Sequence, residues 1–247
     1  MSSPGSSGTR GPRLDAYLSR AGLASRREAR GLIRAGAVQV AGEVVRDPAR
    51  RISDEEVTLG AEPVEAPGQT RDYLMHKPIG VACSHDEREA PLVFDLLDPV
   101  LRRRRLRIVG RLDRATSGLL VLTIDGDFVH RLTHPARHVE KRYRVAYTGS
   151  LANDAVERCR EGLALPGDAR PTRPAELRLE ADGRATLVLR EGRTHQVRRM
   201  IRALGGEVEA LHRDRVGALD LPGDLPPGDL RPLAPEERAL LLTERSL

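Results

Sequence analysis

Residues 110–126 read Gly-Arg-Leu-Asp-Arg-Ala-Thr-Ser-Gly-Leu-Leu-Val-Leu-Thr-Ile-Asp-Gly, a carboxylate in a glycine-flanked turn followed by an apolar run that closes at Asp125-Gly126. The run Leu119-Leu120-Val121-Leu122-Thr123 is short, β-prone and bounded by glycine, which predicts a buried strand. Gly110 and Gly118 let the backbone bend without a Cβ penalty, so Asp113 can be presented at the floor of a cleft. An Asp in such a turn commonly bonds only to its own backbone. The rest of the chain gives Asp113 a chemical reading.

A chain of 247 residues, 39% hydrophobic, suits one large or two modest domains with a packed core. It has neither an apolar run of about 18 residues nor an apolar N-terminal stretch like a secretion signal, so a cytoplasmic protein without membrane contact is expected. Cys83 and Cys159 lack C-x-x-C spacing, which argues against a disulfide framework and a zinc ribbon. The net charge of +5 and pI near 9.7 favour an anionic partner. Apart from Lys77 and Lys141 the basic residues are all Arg, whose planar forks pair with phosphates and stack on bases.

Four segments are predicted: a tail (1–11), a small module (12–60), a linker (61–71) and a larger domain (72–247). The tail is mostly Ser, Gly and Pro and is expected to be disordered. Apolar residues at helical spacing run through Leu14 and Leu18. Ser25, with Glu28 three residues on, signals a capping box and a helix from Arg26 to Ala35 that ends at Gly36. That helix lines Arg26, Arg27, Arg30 and Arg34 along an exposed side. Residues 37–45 alternate around a Gly turn and predict a hairpin. Pro63, Pro67 and Gly68 mark the linker, a tether that would raise the local concentration of RNA at the larger domain.

The larger domain opens with a strand at 73–83 that enters the Lys77-Pro78-Ile79-Gly80 turn. Residues 139–145 alternate as a strand with Lys141 and Tyr143 on one face and Arg142 and Arg144 on the other. Residues 187–200 predict a strand turning at Gly192 into a helix, with Val197, Met200, Ile201 and Leu204 on one face and Gly205-Gly206 as the stop. The chain has four Tyr, two Phe and no Trp, so Tyr143 is the best candidate for a base-stacking platform, an interaction that contributes ~1–3 kcal/mol. His130, His134 and His138 recur every four residues, but Pro135 breaks the helix they would share and no Cys or carboxylate completes a site, so no metal is expected.

Gly-Arg-Leu-Asp-x-x-Thr-x-Gly-Leu-Leu, Lys-Pro-x-Gly, Lys-x-Tyr, Gly-Arg-x-His-Gln-Val-Arg-Arg-Met and the closing stretches 211–217 and 225–233 together resemble the RNA pseudouridine synthases, in their RsuA-type branch. Arg13-Leu14-Asp15-x-x-Leu18, Ser25-Arg26-Arg27-x-Ala29 and the run from Ile33 to Gly42 resemble an S4 RNA-binding domain. The resemblance implies an α+β protein: an S4-like module plus a catalytic domain with a mixed, mostly antiparallel sheet and a central cleft. It implies isomerisation of uridine in ribosomal RNA, in which the N1–C1′ bond breaks and C5 joins C1′, with no cofactor. Asp113 would be the catalytic carboxylate, attacking C1′ or removing the 2′ proton. Tyr143 would stack on the uracil, and Arg198 would pair with Asp113 and keep it ionised in a cleft where burial raises its pKa. RNA contacts would fall to Lys77, Arg111, Lys141, Arg193, His195, Gln196 and Arg199 in the larger domain, and to Arg13, Arg26, Arg27, Arg30 and Arg34 in the module. The base must leave the RNA stack to be reached.

His195-Gln196 and Leu211-His212-Arg213 favour 16S rRNA of the small subunit, free or in an assembly intermediate, as the partner of a monomeric enzyme. The alternatives are 23S rRNA of the large subunit and a non-catalytic ribosome-assembly factor. A glycosidase with Asp125 or Asp127 as second carboxylate leaves the S4-like module and the later motif without a purpose.

Overall fold

The computed structural model describes residues 11–64, 72–104, 106–134, 137 and 139–243, so the expected tail falls almost wholly outside the described residues. Contacts divide the chain into two units, Met1–Arg71 with Arg103–Leu106, and Asp72–Arg102 with Arg107–Leu247.

In the first unit, helices α1 (Leu14–Arg20) and α2 (Arg26–Arg34) precede strands β1 (Val38–Val40), β2 (Glu43–Val44), β3 (Val57–Leu59) and β4 (Glu62–Pro63). The strands form an antiparallel sheet in the order β2-β1-β3-β4. The capping box forms as expected: the Glu28 amide donates to Ser25 Oγ at 3.2 Å, and the Ser25 amide donates to the Glu28 carboxylate at 2.8 Å. Leu14, Leu18, Ile33, Val38, Val40 and Ile52 are fully buried and make the core. One boundary is corrected. Strand β4 pairs with β3 and Val64 is buried, so residues 61–64, read as linker, belong to this sheet. An edge strand tolerates Pro63 because an outward-facing position needs no N–H donor, which is why its composition reads as a break. Residues 65–71 lie outside the described residues.

The second unit is built on β5 (Asp72–Lys77), β6 (Arg107–Val109), β7 (Thr116–Thr123), β8 (Lys141–Gly149), β9 (Glu176–Glu180), β10 (Arg184–Leu189), β11 (Gly206–Val216), β12 (Leu219–Asp220) and β13 (Leu230–Pro232). The main path is β13-β5-β7-β11-β8-β10-β9, with β6 on β7 and β12 on β11. Every pairing is antiparallel except β7 with β11, which gives the expected mixed, mostly antiparallel sheet. Helices α3 (Pro99–Arg103), α4 (Gly126–Thr133), α5 (Ala155–Glu161), α6 (Gln196–Ala203) and α7 (Pro235–Leu241) complete it.

Strand β7 is the buried strand foreseen from the apolar run, with Leu119, Leu120 and Leu122 fully buried. Gly118 faces Arg213 across the parallel pairing, and a Cβ there would stand 2.1 Å from the Arg213 carbonyl oxygen. With φ at +120° as well, the position admits only glycine without displacing the strand. The two strands that carry the floor of the site are thereby drawn together. Helix α6 buries Val197, Met200 and Ile201 as its periodicity predicts, and Leu204 is buried just beyond it.

Candidate active site

Asp113 sits in the turn between β6 and β7, its side chain 34% exposed at the floor of a cavity of about 450 Å³. A buried cation holds the turn from below. Lys77 is fully buried, and its Nζ donates to the carbonyls of Pro78 (3.0 Å), Asp113 (3.1 Å), Arg114 (3.4 Å) and Thr116 (2.8 Å). Burial pulls the Lys77 amine below its ordinary range. The Thr116 amide closes the turn onto the Asp113 carbonyl at 3.0 Å, and the Gly80 amide joins the neighbouring Pro-x-Gly turn to the Arg114 carbonyl at 2.8 Å. Lys77 therefore does not reach RNA, contrary to the sequence reading; it fixes the backbone that carries Asp113.

Strand β8 supplies one wall. Lys141 and Tyr143 both line the cavity, while Arg142 and Arg144 point the other way and pair with Asp214 at 2.8 and 2.9 Å, so the predicted alternation holds. Tyr143 is buried, and its hydroxyl makes no hydrogen bond among the described residues, leaving the ring to the cavity. Arg111 lines the cavity, is exposed and makes no ion pair or hydrogen bond among the described residues. Its charge is available to a phosphate.

Arg213 belongs to the site although sequence reasoning did not single it out. It is buried and lines the cavity, with Nε and Nη2 donating to the Leu119 carbonyl (3.0 and 2.8 Å) and Nη2 also donating to that of Gly110 (3.0 Å). The one available signal was its place in Leu-His-Arg. Cys83, also lining the cavity, accepts from the Leu112 amide at 3.5 Å, and burial pushes its thiol up.

The helical motif is used differently from the expectation. Arg198 does not pair with Asp113: it donates to the carbonyls of Val208 (3.1 Å) and Ala115 (3.0 Å) and joins α6 to the strands beside the site. The group facing Asp113 is His195, with Nε2 at 3.7 Å from Oδ1. His195 has φ +50°, a left-handed conformation at the N-cap of α6 that turns its ring toward the cavity. Arg193 and Arg199, read as free for phosphates, are both spent on Asp168, at 2.8 and 2.7 Å. Arg193 also bonds the carbonyls of Arg170 and Pro171. Gln196 is buried and braces the turn, accepting from the Arg193 amide and donating to Glu191.

Burial, with repulsion from Arg213 added, pulls the Lys141 amine down to about 8. The folded state therefore holds this proton more weakly than the unfolded chain, and the Lys141 contribution to stability rises with pH from about 8 toward its ordinary 10.5. An RNA phosphate favours the charged amine, so RNA affinity is expected to fall as pH rises from 7 to 9. Lys141→Met is expected to flatten that dependence. Anisotropy titrations at both pH values check it, and the same pH dependence in both proteins would remove Lys141 from RNA contact.

The module's arginines divide into two sets. Arg13 (3.4 Å), Arg26 (3.6 Å) and Arg30 (2.9 Å) converge on the buried carboxylate of Asp15, so much of their charge serves the packing of α1 on α2. Arg27 and Arg34 are exposed without an ion pair among the described residues. No group of three or more potential metal ligands occurs among the described residues. Helix α4 ends before His134, and His138 lies outside the described residues. Asp125 is occupied as the N-cap of α4 and by Arg238 at 2.7 Å, which leaves the two-carboxylate glycosidase reading without that partner. No helix among the described residues is long and apolar enough to cross a membrane.

Residues 73–203 match the family described as RNA pseudouridylate synthase, and residues 12–57 match the S4 domain. The chain is 38% identical over 228 residues to the ribosomal small subunit pseudouridine synthase A of Escherichia coli (strain K12), covering 92% of this chain and 98% of that protein. It is 39% identical to the protein of the same name from Vibrio parahaemolyticus, covering 91% and 97%. A solved structure described as a pseudouridylate synthase superposes with a TM-score of 0.67 at 36% identity, covering 93% of this chain and 99% of that one.

Proposed function

The chain belongs to the RNA pseudouridylate synthases, with an S4 domain ahead of the catalytic one, and from this premise we propose that it isomerises a uridine of small-subunit (16S) ribosomal RNA. The observation that carries the catalytic part is the partly exposed Asp113 carboxylate at the floor of a cavity walled by Tyr143. Cavities of this size take a small molecule or one extruded nucleotide.

In this reading Tyr143 stacks on the uracil while Asp113 carries its transfer from N1 to C5. The C5 proton leaves and N1 gains one, so the reaction balances without redox chemistry or an energy source. His195 faces the carboxylate; Arg111 and Lys141 offer charge to the RNA backbone. Of the S4-domain cations named from the sequence, Arg27 and Arg34 make no ion pair among the described residues. Relatives named for the ribosomal small subunit support action in the cytoplasm on rRNA or an assembly intermediate.

The small-subunit assignment rests on relatives named for the ribosomal small subunit and matched over nearly their whole length. Carbodiimide-adduct primer extension on unmodified small- and large-subunit rRNA tests it. One new stop on the small-subunit RNA is expected. A stop confined to large-subunit RNA would overturn the assignment, and no stop on either, with binding intact, would favour an assembly factor.

A further inference from the structure

Arg114 follows Asp113 directly, yet its guanidinium is spent on backbone carbonyls. The guanidinium faces carbonyls: Nη1 donates to Gly80 (3.1 Å) and Ala90 (3.5 Å), and Nη2 donates to Glu89 and to Ala90 (3.5 Å). Among the described residues it makes no ion pair. Gly80 belongs to the Pro-x-Gly turn beside Asp113, whereas Glu89 and Ala90 lie on the returning side of an exposed loop.

That loop leaves the site at Cys83 and returns at Leu92. Its base is closed by the bridge between Ala82 and Leu92, with the Ala82 amide donating to Pro91 and the Val93 amide donating to Ala82, both at 2.9 Å. Its own bonds are local. Asp86 caps the short 3-10 turn Glu87–Glu89 and pairs with Arg88 at 2.6 Å, and His85 stacks on Phe94. Among the described residues, Arg114 alone holds the 89–90 segment to another part of the unit by a side chain. Ala82, Cys83, Glu89 and Arg114 all line the cavity that holds Asp113, so the loop is one of its walls.

We propose that Arg114 is a positioning residue that braces the 84–91 loop against the Asp113 turn and so fixes the wall past which the RNA strand must thread. The inference rests on the pseudouridine synthase reading of the cleft. Two supports act on two different objects. Lys77 holds the backbone of Asp113 and Arg114 from below through their carbonyls, without using the Arg114 guanidinium, which holds the loop. Loss of the guanidinium therefore leaves the carboxylate in place and frees the wall, and a free wall must be ordered again each time RNA binds. Glu89 gives this wall a negative charge that disfavours a phosphate there, which confines the path of the strand.

Arg114→Met keeps the aliphatic stem and removes the donors. It is expected to raise KM for rRNA about five- to tenfold with kcat within about twofold of wild type, since the cost lies in ordering the wall. Amide hydrogen exchange across 84–91 is expected to quicken roughly tenfold while exchange in β7 stays as in wild type. Arg114→Lys, which reaches one carbonyl at a time, is expected to fall between. A fall in kcat with KM unchanged would make Arg114 a support of Asp113 and overturn the proposal, as would unchanged exchange in 84–91. The exchange measurement needs no substrate. Faster exchange in Arg114→Met, with no wild-type activity on either rRNA, would therefore leave the brace standing and remove the ribosomal reading.

Discussion

Asp113→Asn is expected to bind rRNA within about twofold of wild type and to lose pseudouridine formation by a factor on the order of 10³ or more. The side chain keeps its shape, and the contacts that place it are made by its backbone: its carbonyl accepts from Lys77 and from the Thr116 amide. Among the described residues the ionisable group within 4 Å of its carboxylate is His195, at 3.7 Å and beyond hydrogen-bond range, so little holding energy is forfeited. What disappears is the carboxylate itself, and an amide neither bonds to C1′ nor takes a proton at neutral pH. A time course of carbodiimide-detected stops beside filter binding separates the two effects. Turnover at the wild-type rate would move the chemistry to another residue.

Lys77→Met is expected to cost about 3 kcal/mol of folding stability and at least tenfold in kcat, with no reacting group altered. The ammonium is itself fully buried and serves four carbonyls, that of Thr116 in a buried bond and the other three in part-buried ones. Replacement by a thioether removes the charged donor from all four oxygens, of which Asp113 and Arg114 keep only an amide partner, and the cost is reduced by the desolvation that the amine no longer suffers. Relief of the four carbonyls requires the Asp113 turn to move, which carries the carboxylate off its mark; displacements near 1 Å are costly to catalysis. Urea unfolding and single-turnover kinetics on the same preparation check both numbers. Wild-type stability with wild-type kcat would show that the turn holds itself.

Local signals in the chain were legible. The Ser25-Glu28 box, the buried run after Gly118, the alternation of β8 and the apolar face of α6 are each written within about a dozen consecutive residues, and each formed as read. What escaped depends on partners far along the chain. Arg193 and Arg199 looked free because Asp168, which spends them, lies 25 and 31 residues away. Arg198 looked like the counter-charge of Asp113, and the sequence carries no mark that the carbonyls of Ala115 and Val208 would take it instead. Lys77 looked like an RNA contact through the resemblance of its Lys-Pro-x-Gly motif, and nothing local marks it as one of the few lysines that a fold buries completely. With 41 basic residues set against 36 acidic ones, most guanidiniums can meet a carboxylate. The informative cations are those without a partner among the described residues, such as Arg111.

The parallel pairing of β7 with β11 sets an order of assembly. Thr116 registers with Leu211 and Gly118 with Arg213, contacts separated by most of the catalytic unit, and β11 is also the strand between β7 and β8. Until β11 inserts, Asp113 and Tyr143 belong to separate pieces of sheet. The S4 fold, by contrast, has its sheet and core within the first 64 residues, its most distant pairing running only from Arg13 to Arg51. Long-range pairing is slow and local pairing fast. During synthesis the growing chain thus acquires its grip on RNA well before it acquires the means to alter it.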